Sequence, residues 1–180
     1  LCTLDVITHM CLAFLSDSLQ DDQYDSLFAA SSQPSSLHLV NCTYLPEDLW
    51  QYTSLLQLTL SGCSSLTSVP DGIGQLTMLE QLEIRECSQL AIISESVSQL
   101  SSLTRLELIH CSNLQELPGG IGHLRRLQEL KFEGCSSLAS VPDTISQLEG
   151  LQLLHIQGCS SLVALPASVG HLSKLQTLRL

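Results

Sequence analysis

Apolar residues in this chain recur in a fixed phrase. "LLQLTLSGC" (55–63), "LEQLEIREC" (79–87), "LTRLELIHC" (103–111), "LQELKFEGC" (127–135) and "LQLLHIQGC" (151–159) begin 24 residues apart, and "LQTLRL" (175–180) opens a sixth on schedule. In L-x-x-L-x-L the apolar positions alternate at the end, as a strand with one buried face requires, so each phrase predicts a short strand whose intervening residues point the other way. The rest of the unit repeats too. Leu66, Leu90, Leu114, Leu138 and Leu162 follow the cysteine by three, then come Val69, Ile93, Leu117, Val141 and Leu165, and then an Ile or Val and a Leu such as Ile73 and Leu76. In most units a proline precedes the final segment, as in "VPDGIGQL" (69–76), where its fixed φ suits a helix start and its missing N–H costs nothing. The spacing predicts about one turn of helix or 3-10 helix there, too short to stand alone.

No such unit can bury its own apolar face, so units must stack. Parallel strands about 4.8 Å apart, one per coil, would line the inside of a curve. The predicted units are 34–54, 55–78, 79–102, 103–126, 127–150, 151–174 and a partial 175–180. The first is 21 residues long: "LHLVNC" (37–42) matches the strand and "LPEDLWQY" (45–52) the segment around the proline, with three residues missing between them. Residues 1–33 read as an irregular N-terminal repeat, in which Leu1, Leu4, Val6, Leu12, Leu15 and Leu19 fit the apolar template without its cysteine or proline, and 20–33 as an acidic insertion. The expected fold class is an α/β solenoid, the leucine-rich-repeat horseshoe, with about seven or eight parallel strands on the concave face and short helical or 3-10 turns and loops on the convex face. Its Cys-x-x-Leu is one residue longer than the usual form, so the turn after the cysteine is longer.

Six of the eight cysteines, Cys42, Cys63, Cys87, Cys111, Cys135 and Cys159, share one site per coil. They are expected to form an inward structural column where each strand ends, as small apolar groups whose S–H reaches a carbonyl of the neighbouring coil. Zinc needs four converging ligands, and no C-x-x-C pair or His partner accompanies them. Adjacent coils bring Cα atoms within disulfide range, yet an oxidised column would pull side chains off their carbonyls. Free thiols are therefore expected, and with them a reducing compartment.

Composition narrows the function. The core must be aliphatic, since 44% of residues are hydrophobic and only 4% aromatic. A net charge of −11 argues against nucleic acid or an anionic membrane as partner. Residues 1–84 hold ten acids and no Lys or Arg, whereas 85–180 hold eight acids and seven bases, so the first half carries −10 and the second −1. No apolar run approaches the roughly 18 residues of a membrane span, and "VITHMCLAFL" (6–15) lacks the basic segment of a signal peptide. A chain opening on Leu1 and stopping inside a repeat is expected to be a piece of a longer protein with marginally soluble ends. The sequon at Asn41 abuts a cysteine expected to be buried and is discounted.

No catalytic set emerges. His9, His38, His110, His123, His155 and His171 fall at different repeat positions, and "PGGIG" (118–122) lacks the Lys and preceding buried strand of a phosphate loop. An enzyme is not expected, nor a cofactor or metal in this segment. Binding is different, because the outward strand positions form one surface on the inside of the curve. Coil by coil they are Gln57, Thr59, Ser61; Gln81, Glu83, Arg85; Arg105, Glu107, Ile109; Glu129, Lys131, Glu133; Leu153, His155, Gln157; and Thr177, Arg179. They vary while the framework stays fixed, so stacking does not need them. From Gln81 onward they are the candidate protein-contact residues. Ile109 and Leu153 are expected to expose aliphatic side chains there. Trp50 takes the slot of Gly74, Gly122 and Gly170 and should therefore lie on the outer side, against the 20–33 insertion or, failing that, as an interface anchor.

"GCSSLTSVPDGIGQLTMLEQLEI" and "LPEDLWQYTSLLQL" resemble the C-terminal repeats of plant intracellular nucleotide-binding leucine-rich-repeat (NLR) disease-resistance proteins, over about 34–180. The diagnostic points are the Cys at the strand end and V/L-P followed by I-G-x-L; coil 79–102, with "ISESVSQL", lacks both Pro and Gly. The resemblance implies a non-catalytic recognition domain that senses a pathogen effector or a guarded host protein, helps hold the nucleotide-binding module of the same chain inactive, and works in the cytoplasm and also the nucleus. It implies too that the acidic half lies nearest that module, with Asp17, Asp21, Asp22 and Asp25 docking on a basic patch. The alternative is a free-standing intracellular scaffold organising signalling partners.

Overall fold

The computed structural model describes residues 34–180; the expectations placed on 1–33, including Asp17, Asp21, Asp22 and Asp25, lie outside the described residues. Each predicted strand phrase forms a strand: β1 (Ser36–Val40), β2 (Gln57–Ser61), β4 (Gln81–Arg85), β6 (Arg105–Ile109), β7 (Glu129–Glu133), β8 (Leu153–Gln157) and β9 (Thr177–Arg179). Together they make a seven-stranded parallel sheet ordered as in the chain. Register follows the repeat: Gln57, Gln81, Arg105, Glu129, Leu153 and Thr177 stand side by side, and the 21-residue first unit enters on the same register with Ser36 opposite Gln57. A second, two-stranded parallel sheet, β3 (Ser68–Val69) with β5 (Ile92–Ile93), lies on the return path and was not expected.

Behind the sheet each coil returns through one 3-10 helix of five residues, Glu47–Gln51, Asp71–Gln75, Glu95–Gln99, Gly119–His123, Asp143–Gln147 and Ala167–His171. Five are preceded by a proline at the cap, in extended conformation, because a residue without an N–H fits where no helical donor is required. In the coil that lacks the proline, Ser94 takes the position: its hydroxyl accepts from the N–H of Ser96 at 3.0 Å and donates to the Asp71 carboxylate of the preceding coil.

The core is one continuous aliphatic column, with Leu58, Leu82, Leu106, Leu130 and Leu154 at most 1% exposed. At about 25 cal/mol per Å² of buried apolar surface this burial dominates stability, and no coil achieves it alone. Two expectations are corrected. Trp50 is not on the outside: it is 2% exposed, because the next coil carries Gly72, where a Cβ would sit 2.2 Å from the indole ring. Its N–H has no hydrogen-bond partner among the described residues. Ile109 is likewise buried, at 8% exposed, in register between Arg85 and Glu133. Leu153 is half-buried, so the two do not form an exposed apolar patch.

Candidate protein-interaction face

A left-handed residue follows each of the first six strands of the seven-stranded sheet and sets the geometry of the face. Asn41, Gly62, Glu86, His110, Gly134 and Gly158, each just before the cysteine, have φ between 54° and 67°. The kink turns the chain inward yet keeps the ladder going: the N–H of Gly62 reaches Arg85 O at 2.9 Å, that of Glu86 reaches Ile109 O at 2.8 Å and that of Gly134 reaches Gln157 O at 2.8 Å. Glycine takes this conformation freely, whereas Glu86 and His110 hold it at a cost of about 1 kcal/mol.

The kink also buries the cysteine that follows. Cys42, Cys63, Cys87, Cys111 and Cys135 are buried, Cys159 is half-buried, and all six are free thiols. Their S–H groups point at backbone oxygens, among them Ile84 O from Cys111 at 3.6 Å and Leu108 O from Cys135 at 3.4 Å, each in the preceding coil. The thiols of Cys87, Cys135 and Cys159 are pushed up, first by hydrogen bonds to the preceding thiol of the column and then by burial, Cys135 to about 12. Thiols held protonated in this way are poor nucleophiles. Among the described residues no group of three or more His, Cys, Asp or Glu is placed to hold a metal ion, and no helix is long and apolar enough to cross a membrane.

On the open side of the sheet the outward residues fall into columns. Arg105 donates from Nε and Nη2 to Glu129 at 3.0 and 3.2 Å, and this pairing raises the pKa of its guanidinium. Glu107 lies 3.9 Å from both Arg85 and Arg105, and Arg85 also contacts Glu83, so Glu83, Arg85, Glu107, Arg105 and Glu129 form one chain across three strands. Lys131 Nζ lies 2.9 Å from Glu133, whose carboxyl is held below its ordinary range by that ammonium. At this exposure the Arg105–Glu129 pair contributes under about 1 kcal/mol.

The middle column carries the distinguishing pattern. His38, Thr59, Glu83, Glu107, Lys131, His155 and Arg179 stand in register, two carboxylates followed by an ammonium, an imidazole and a guanidinium. On one flank Gln81, Arg105, Glu129, Leu153 and Thr177 adjoin it; on the other Arg85, Ile109, Glu133 and Gln157, whose Oε1 accepts from His155 Nε2 at 3.2 Å. The sequence reading began the face at β2 and missed β1, where His38 Nε2 lies 3.1 Å from Ser61 Oγ. The match of "LHLVNC" to the strand phrase carried the signal for it.

Comparison with known proteins bears on this face. The family model described as plant disease resistance protein RPS2-like, leucine-rich repeats, matches residues 31–180. Comparison with curated proteins finds no match. Similar solved structures include the leucine-rich repeat domain of the type III effector XopL, at 22% identity and TM-score 0.45 over 85% of this chain and 69% of that one. The leucine-rich-repeat ectodomain of the receptor kinase SOBIR1 from Arabidopsis thaliana gives 22% and 0.47 over 67% and 64%, and an internalin (inlF) from Listeria monocytogenes 16% and 0.40 over 78% and 46%. With 31–180 matched and the sheet built as described, the chain belongs to the RPS2-like leucine-rich repeats of plant disease resistance proteins, a protein-interaction fold.

Proposed function

We propose that this segment is the non-catalytic recognition domain of an NLR immune receptor, and that the middle column of the sheet reads a partner protein by charge. The observation that supports this is the polarity of the column: Glu83 and Glu107 at one end, Lys131, His155 and Arg179 at the other. From Glu83 to Arg179 is four strand steps, about 19 Å, the scale of a protein contact. A complementary partner presents Lys or Arg to the first end and carboxylates to the second. In the parent receptor that partner is a pathogen effector or a guarded host protein. The same repeats hold the nucleotide-binding module inactive, with Asp17, Asp21, Asp22 and Asp25 docked on its basic patch; the setting is the cytoplasm and nucleus, and this segment takes no cofactor.

The test is made in the full-length receptor. Reversal of the column by Glu107→Lys with Lys131→Glu is expected to abolish the effector-triggered response while protein level is unchanged, and an unaltered response refutes the reading. Reversal of the four N-terminal aspartates to Lys is expected to weaken binding to the nucleotide-binding module at low salt; unchanged binding removes that part alone.

A further inference from the structure

Arg85, Arg105 and Lys131 are engaged with carboxylates on the sheet face. The other four of the seven Lys and Arg form no ion pair among the described residues, and three of them, Arg125, Arg126 and Lys174, line one shallow depression at the edge where the chain enters β6, β7 and β8. Such a concentration stands out on a chain of net charge −11.

The repeat explains how the depression is built. Arg126, Gly150 and Lys174 occupy the same position in three consecutive coils, so the two cations stand two strand steps apart, about 10 Å. Between them is a residue that cannot carry a side chain: a Cβ on Gly150 would lie 2.7 Å from Arg125 O and 3.0 Å from Leu127 O. The floor of the notch is thus backbone, and its walls are a guanidinium and an ammonium. The nearby backbone donors are already used, Gln128 N–H on Thr104 O and Gln152 N–H on Gln128 O, both at 2.8 Å, and the Thr104 hydroxyl donates to Glu80 O at 2.9 Å. What remains free to donate is the side chains of Arg125, Arg126, Lys174, Gln128 and Gln152. Two carboxylates share these columns, Glu149 that of Arg125 and Glu80 that of Thr104, Gln128 and Gln152.

We propose that this notch binds a phosphorylated side chain of a peptide segment. Two guanidinium forks and an ammonium around a vacant position match the three oxygens and double charge of a phosphate monoester, and two carboxamides add neutral donors. A peptide is the carrier because the notch is open and borders the interaction face: Thr104, Gln128 and Gln152 immediately precede Arg105, Glu129 and Leu153. A chain lying across the sheet reaches it. The inference rests on the protein-interaction reading for its carrier alone.

The test is fluorescence anisotropy of the 180-residue chain with a labelled peptide bearing one phosphoserine, beside the same peptide with Ser or Glu in its place. The phosphopeptide is expected to bind saturably and to weaken with salt. Arg126→Gln and Lys174→Gln, both exposed, are each expected to weaken it about tenfold, the loss of one charge-assisted hydrogen bond. Glu149→Gln is expected to tighten it, a gain that no damage to the fold would produce. Glu47→Gln on the convex side is expected to change it by less than about twofold, and because the charge column is scored by the receptor's response rather than by this peptide, failure of the notch is separate from failure of the column. Equal binding of the Ser or Glu peptide, or an unchanged affinity in the Arg126→Gln, Lys174→Gln double variant, overturns the proposal.

Discussion

One repeat position holds Gly74, Gly122 and Gly170, and the structure predicts different outcomes for the same substitution at each. A Cβ on Gly122 would lie 2.3 Å from Thr144 O, a backbone atom of the next coil, and 3.0 Å from the Gln147 Cβ. The approach is tight because Thr144 Oγ1 donates to Gly119 O at 2.7 Å and draws the two 3-10 helices together. Relieving a contact that short needs a shift of about 1 Å in helices locked to their strands, and overpacking of this kind costs about 1–3 kcal/mol. Alanine returns about 0.4–1 kcal/mol by restricting the unfolded chain. Gly122→Ala is therefore expected to destabilise by about 1–2 kcal/mol. At Gly170 nothing lies within 4 Å of the added carbon, so only the unfolded-state gain remains and the variant is expected to be stabler by about 0.4–1 kcal/mol. Gly74 falls between, since its shortest contact is the Gln99 side-chain oxygen at 2.5 Å, which can swing away, and the Ser96 carbonyl lies at 3.0 Å. Urea unfolding followed by circular dichroism should rank them 170, 74, 122 in falling stability. A Gly122→Ala chain as stable as Gly170→Ala would show that the coils are not held at this spacing.

The remaining expectations use the same measurement. Because the folded-state pKa of Cys135 is raised to about 12, the native state keeps its proton where the unfolded chain, with an ordinary thiol pKa of about 8.5, loses it; that stability is full below about pH 8.5 and is lost as pH rises toward 12. Urea midpoints should fall between pH 7 and pH 10.5, and fall less in Cys135→Ala. Glu86→Gly is expected to stabilise by about 0.5–1 kcal/mol, because it relieves a left-handed residue at φ 56°, whereas Gly158→Ala, at φ 67°, should cost about 1 kcal/mol despite ordinary van der Waals space. Glu95 accepts from the N–H groups of Gly119 and Gly120 at 2.7 and 2.9 Å, so Glu95→Ala should cost about 1 kcal/mol, as loss of a helix cap does, and Glu95→Gln less.

Strand positions, register and the inward thiols were legible in the sequence because each depends on one column of the repeat. A residue every 24 positions with the same chemistry has the same neighbours above and below. What could not be read depends on which unlike side chains meet between coils, whether across columns or along one. Trp50 is buried beside Gly72 of the following coil, which is not in its own column, and Ile109 within its column between Arg85 and Glu133. The left-handed position was disguised because only three of its six residues are glycine. Glu95 bonds across to a coil whose first helical residues happen to be Gly119 and Gly120. On the face itself, alternation told which residues point outward. The grouping of acids and bases along the middle column became apparent once Glu83, Glu107, Lys131, His155 and Arg179 were set side by side.

The 21-residue first coil meets β2 in register although its return path is three residues shorter than the others. Length is thus regulated at the strand and its kink, and the return can gain or lose residues without shifting the ladder. Unequal exchange at the level of the gene, deleting or duplicating a coil from one strand to the next, would keep every leucine and thiol in line. Such an event would still deal a new row of outward side chains into the sheet, so the fold admits diversification by whole rows as well as by single substitutions.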